Sequence, residues 1–158
     1  MKNDQLPDRI RKVAQELDHS IETGNIESIL SFFSDDCEIE LLGINKTGKA
    51  GARKWLEWLY SHAAEIKFSP VTIMVEGNTF FEEFTVKAKL HNGLEVQSKQ
   101  AEVLLFENYK VKSLRLYFDR LEFAESFVSG IISKAIVRRL IRMSLKGLIL
   151  HSPYNDCK

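Results

Sequence analysis

Between Val71 and Asp119 the sequence leaves helical spacing for an alternation of apolar and polar residues, and turn signals cut that alternation into four strand-length pieces. Consecutive strands joined by such short turns can pair only as antiparallel neighbours. A sheet of this kind with one dry face needs a cover, and the chain must supply it. Glu76-Gly77-Asn78-Thr79 joins Val71–Val75 to Phe80–Leu90. His91-Asn92-Gly93 suits a three-residue loop with Gly93 left-handed, which sets Leu90 opposite Leu94 and Ala88 opposite Val96. The other face then pairs Lys89 with Glu95 and Lys87 with Gln97, as a solvated face should. A two-residue loop at Asn108-Tyr109 puts Phe106 opposite Val111, Glu102 opposite Arg115, Gln100 opposite Tyr117 and Ser98 opposite Asp119. In that register Ser113, Arg115, Tyr117 and Asp119 share the interior face, where polar groups need a partner, water or a ligand.

The cover lies upstream. Pro7 and Asp8 open a run in which Ile10, Val13, Ala14, Leu17 and Ile21 recur at helical spacing, and Gly24 is its stop. Asn25 caps a second, short helix carrying Ile26, Ile29, Leu30, Phe32 and Phe33. Asp35-Asp36 turns the chain into a strand over Cys37–Leu42. Gly48 to His62 reads as a third helix with Trp55 and Trp58 in its apolar load, and Pro70 ends the linker after it.

A chain of 158 residues suits one core, and 22 basic against 22 acidic residues leave no global footprint for nucleic acid. The polar start lacks the apolar run of a secretory signal. Cys37 and Cys157 form no metal-ligand spacing, so a reduced, cytoplasmic protein without a metal or other cofactor is expected.

Three helices followed by a curved antiparallel sheet resemble the nuclear transport factor 2-like superfamily. The resemblance rests on Gly24-Asn-Ile-Glu-Ser-Ile-Leu-Ser-Phe-Phe-Ser-Asp-Asp36, Gly48-Lys-Ala-Gly-Ala-Arg-Lys-Trp-Leu56, Val75-Glu-Gly-Asn78 and Leu114-Arg-Leu-Tyr-Phe-Asp119. It covers roughly Arg9 to Phe123, and the SnoaL-like polyketide cyclases and ketosteroid isomerases are the branches it is most similar to. The resemblance implies an α+β fold, a cystatin-like cone with three N-terminal helices packed on a curved antiparallel sheet around a hydrophobic cavity. Leu41 stands where the isomerases place a general-base aspartate, and Leu17 where they place an oxyanion-hole tyrosine, which disfavours their usual chemistry. Phe84-Thr-Val-Lys-Ala-Lys89 lacks the Arg-x-Asp pair of the epoxide-hydrolase branch. The terminal Tyr-Phe-Asp resembles both that branch and the cyclases, and an acid-base role would fall on Asp119.

The candidate catalytic set is therefore Asp119 for proton transfer, with Tyr117 and Arg115 stabilising developing oxyanion charge. Glu102, Gln100, Glu82, Phe84 and Trp55 are the candidate ligand-binding residues. Asp119-Arg-Leu-Glu122 equally fits a helix cap, and Glu102 with Arg115 equally fits a self-satisfied ion pair. From Leu121 to Leu150, Phe127, Ile131, Ile136, Leu140 and Met143 keep helical spacing while Lys134, Arg138, Arg142 and Lys146 recur every fourth residue, an amphipathic extension. It would pack on the cone or a second subunit, lie on an anionic membrane surface, or dock a partner. The expected organisation is a SnoaL-like domain over 1–123 and a helical extension over 124–158, in a homodimer. The leading functional expectation is binding of a small apolar ligand, with isomerase or cyclase chemistry on a carbonyl-type group. The alternative is a noncatalytic interaction module docking through the basic helix.

Overall fold

The computed structural model describes residues 5–119 and 131–144, which belong to two compact units divided after Asp119. The first unit runs α1 (Pro7–Thr23), α2 (Ile26–Leu30), β1 (Phe33–Leu41), β2 (Ile44–Thr47), α3 (Gly48–His62), β3 (Ala63–Glu76), β4 (Thr79–Leu90), β5 (Glu95–Glu107) and β6 (Lys110–Phe118). The second contributes α4 (Ile131–Ser144).

The helix boundaries follow local chemistry. Pro7 occupies the first turn of α1, where its missing N–H costs nothing, and Gly24 ends it at φ 76° with its N–H bonded to the carbonyls of Ser20 and Ile21. The Asn25 side chain accepts from the Ser28 N–H and caps α2. Ile10, Leu17, Ile29, Trp55 and Leu56 from the three helices close against Phe33, Phe80, Leu104 and Leu114 of the sheet in one buried core.

One curved, six-stranded sheet carries the order β2-β1-β6-β5-β4-β3, antiparallel throughout except for the parallel β1–β6 pair. This is the α+β cone expected from the sequence. The β4–β5 hairpin takes the expected register, with Ala88 opposite Val96, Lys89 opposite Glu95 and Lys87 opposite Gln97, and Gly93 at φ 82°.

Three features depart from the sequence reading. β1 begins at Phe33, so Asp35-Asp36 lies within an irregular strand rather than ahead of it. β3 starts directly after α3 and runs through Pro70, because it is an edge strand with a register shift between Pro70 and Thr72, where a missing N–H is tolerated. The third departure moves the candidate site. Asn108 and Tyr109, at φ 50° and 58°, make the expected two-residue turn and Phe106 pairs with Val111, but Leu105 then pairs with Ser113. Lys112 is thus an extra residue on β6, and a one-residue insertion exchanges the faces of everything beyond it.

Candidate functional site

On the face of the sheet that meets the helices, Glu82 of β4 lies directly opposite Glu102 of β5, and Glu102 lies opposite Leu116 of β6. This acidic rung is held between an apolar rung, Phe80–Leu104–Leu114, and a mixed one, Phe84–Gln100–Phe118. Asp18, near the end of α1, comes down onto it. One carboxyl oxygen from each of Asp18, Glu82 and Glu102 lies within 4.8 Å of the others. Glu82 and Glu102 are only 2% and 8% exposed, and Asp18 is half-buried.

The electrostatics follow from this crowding. Burial, and then the charges of Glu102 and Glu82, push the Asp18 carboxyl up to about 9. Burial, and then the charge of Glu82, push Glu102 up to about 8. Burial also raises Glu82, against the opposing effect of its hydrogen bond with Asp18. That bond itself requires a proton, since two carboxylates can only accept. Among the described residues no ion pair reaches any of the three carboxyls, and Glu82 Oε1 is buried without a hydrogen-bond partner. The arrangement can hold a carboxylic acid as a donor at neutral pH beside an acceptor oxygen that is already desolvated.

The sequence-derived candidates divide between the two faces. Glu82, Glu102, Phe84 and Gln100 come together on the inner face, while Trp55 is buried in the core, edge-on to Phe33 at 6.4 Å between ring centroids. Arg115 and Tyr117 do not join them: Arg115 pairs with Val103 and Tyr117 with Ala101, both on the opposite face, and both side chains are exposed. The expected Glu102–Arg115 and Gln100–Tyr117 pairings are corrected by the Lys112 bulge, which makes Leu116 and Phe118 the cross-strand partners. Arg115 and Ser113 instead line an outer groove of about 360 Å³ with Glu38 and Glu40. Asp119 is exposed just after β6, and the helix it was expected to cap lies outside the described residues. Asp18 was missed by the sequence reading. Its signal was spacing, four residues after Ala14 and three before Ile21, which places it on the buried stripe of α1.

Comparison with known proteins agrees with this architecture. The family model described as a SnoaL-like domain matches residues 14–114. No curated protein matches the chain. A nuclear transport factor 2-like protein of unknown function from Burkholderia pseudomallei superposes with a TM-score of 0.70 at 18% identity, covering 77% of this chain and 98% of that one. A polyketide cyclase, so described provisionally, from Xanthomonas campestris gives 0.69 at 15% identity, covering 74% and 95%. An epoxide hydrolase/cyclase-like enzyme, SalBIII, with a role in pyran ring formation in the polyether salinomycin gives 0.66 at 15% identity, covering 77% and 97%. At these identities the likeness is one of fold. The matched family model spans most of the first unit, and the chain belongs to the SnoaL-like domain family.

Proposed function

We propose that the protein binds a small, largely apolar molecule against the inner face of its sheet and moves a proton on it with the acidic rung. The observation that carries this reading is the desolvated, unpartnered Glu82 Oε1 in a cluster with the Asp18 and Glu102 carboxyls, which burial and like charge push up to about 9 and about 8. A protonated carboxyl, Glu102 or Asp18, donates to a ligand carbonyl oxygen, and Glu82 accepts a proton from the adjacent carbon or a hydroxyl of the same molecule. In isomerisation Glu82 then delivers its proton to a second carbon and the acid recovers its own from the enol oxygen. In ring closure, with Asp18 as the acid, the proton gained by Glu82 passes back to Asp18 through their hydrogen bond. Isomerisation and ring closure both fit this exchange. The cyclase descriptions of the two structural neighbours support the substrate class by analogy of fold alone.

Native mass spectrometry of the purified chain, followed by extraction, tests the reading. Carbonyl- or hydroxyl-bearing compounds are expected on the wild-type chain and lost from Glu82→Gln, and deuterium from solvent should enter the extracted compound only with the wild-type chain. Absence of any bound compound, or equal occupancy in the variant, contradicts it.

A second reading, an interaction module, is favoured by α4. It carries Lys134, Arg138, Arg139 and Arg142 and no acidic residue, and Ile136, Leu140 and Met143 are each more than half exposed. Such a helix has the composition of one that lies on an anionic lipid surface. Co-sedimentation with phosphatidylserine vesicles, lost on Arg138→Glu with Arg142→Glu, would support it. Equal sedimentation of wild type and variant would sink it.

A further inference from the structure

We propose that Asp18, Glu82 and Glu102 also form a divalent-cation site, sized for Ca²⁺ or Mn²⁺. The inference uses the carboxyls of the proposed function but does not depend on it, because ion binding needs no organic ligand.

The three donor oxygens lie within 4.8 Å of one another, about twice a Ca²⁺–oxygen distance of roughly 2.4 Å. They can therefore be drawn onto one coordination sphere by small side-chain rotations. Mg²⁺, at about 2.1 Å, needs them within about 4.2 Å and demands stricter octahedral placement. An all-carboxylate oxygen set is also the ligand chemistry that hard ions prefer over zinc or copper.

A second observation, independent of the clustering, points to a ligand. Glu82 is 2% exposed and its Oε1 has no hydrogen-bond partner among the described residues. A buried carboxyl oxygen left without a donor is costly, and a cation supplies what it lacks. Nothing described nearby does so instead. The groups acting on Asp18 are Glu102, Glu82 and Glu22, all acidic, and Lys67 is drawn to Glu22 rather than to the rung.

Charge then dictates the behaviour. Three ionised carboxylates carry more negative charge than one divalent ion cancels, so one carboxyl can keep its proton in the ion-bound state. A carboxyl that ligates the ion must be deprotonated, so any proton it holds is released to the buffer on binding. Ion and acid-base chemistry are consequently alternative states of one rung, and the ion should oppose any turnover that uses the protonated form.

The full chain, stripped with EDTA and desalted, is titrated with CaCl₂ and with MnCl₂ by calorimetry at near-neutral pH in two buffers of different ionisation enthalpy. One ion per chain is expected, with a buffer-dependent heat that reports proton release and with weaker binding of MgCl₂. The ion should also raise the melting temperature. Glu82→Gln and Glu102→Gln remove charge from a crowded interior and are expected to fold, and each should weaken binding about ten-fold or more. No heat and no thermal shift at millimolar ion with the wild-type chain would overturn the site. So would binding that both variants retain, which would assign it to surface acids such as Asp35 and Asp36. If ion binding holds but no organic compound is ever found, the proposed function fails alone. If compounds bind and the ion does not, this inference fails alone.

Discussion

Glu82 of β4 lies directly across the antiparallel ladder from Glu102 of β5, so two acids occupy adjoining places on a face that otherwise carries Phe80, Phe84 and Leu104. Like charges at directly opposed positions repel, and burial deprives them of screening. The folded chain relieves both by holding protons, which makes its stability depend on pH. A carboxyl raised in the folded state binds more protons there than in the unfolded chain, so stability falls as pH rises from the ordinary carboxyl range near 4. The fall continues until pH passes the folded values, about 8 for Glu102 and about 9 for Asp18. Thermal melts from about pH 5 to pH 9 should show this decline, in the range where most proteins are near their most stable. Glu102→Gln should flatten it and raise the melting temperature under alkaline conditions by about 4 °C or more. A flat wild-type profile would contradict the burial of ionisable charge.

The faces of β6 supply a second expectation. Arg115 lies beyond the Lys112 bulge and points away from Glu102. Arg115→Ala should change stability by less than about 0.5 kcal/mol and leave the pH profile untouched. Leu116→Lys places an ammonium opposite Glu102, and should lower the carboxyl's pKa and extend stability to higher pH. The reverse pattern would restore the register without a bulge.

Ahead of α1, Gln5 ties the chain to the last hairpin. Its Nε2 donates to the Phe106 carbonyl at 2.8 Å, and its Oε1 accepts from the Tyr109 N–H. Arg9 lies 3.9 Å from the centre of the Tyr109 ring. Gln5→Ala strips a partner from two backbone groups at once and should cost about 1–3 kcal/mol in denaturant melts. A change below half a kcal/mol would show that water replaces the side chain.

Gly51, in α3, sets two effects against each other. Alanine is favoured over glycine in a helix by about 1 kcal/mol. A Cβ here, however, would meet Lys46 Cβ at 3.0 Å and the Lys46 carbonyl carbon at 3.1 Å, and backbone on β2 yields poorly. Overpacking of this kind costs about 1–3 kcal/mol, so Gly51→Ala should lower the melting temperature despite its propensity gain. A rise would mean that β2 gives way.

Much of the fold was legible because it is written in short-range chemistry. Pro7, Gly24 and Asn25 mark helix ends by backbone rules, and Gly93 and Asn108-Tyr109 mark hairpins by the sign of φ. The acids Glu82 and Glu102 were legible as candidates because alternation fixed their face. What escaped is what depends on tertiary position. Pro70 within β3 is acceptable only on an edge strand, and a sequence does not announce which strand is the edge. The bulge at Lys112 adds one residue with no turn signature, yet it moves Arg115 and Tyr117 out of the interior. Asp18 joins the site through packing of α1 on the sheet, far from Glu82 and Glu102 in sequence. An acid on a helix with many exposed charges reads as solvent-facing until its spacing to Ala14 and Ile21 is weighed.

The acidic rung is expected to hold protons at neutral pH. Side-chain carboxyl ¹³C resonances followed by NMR across a pH titration test it directly, with Asp18→Asn, Glu82→Gln and Glu102→Gln supplying the assignments. The Asp18 and Glu102 carboxyls are expected to titrate above pH 7, toward about 9 and about 8, with each curve shifting when a partner is replaced. Three carboxyls titrating independently near pH 4, like exposed acids, would contradict it.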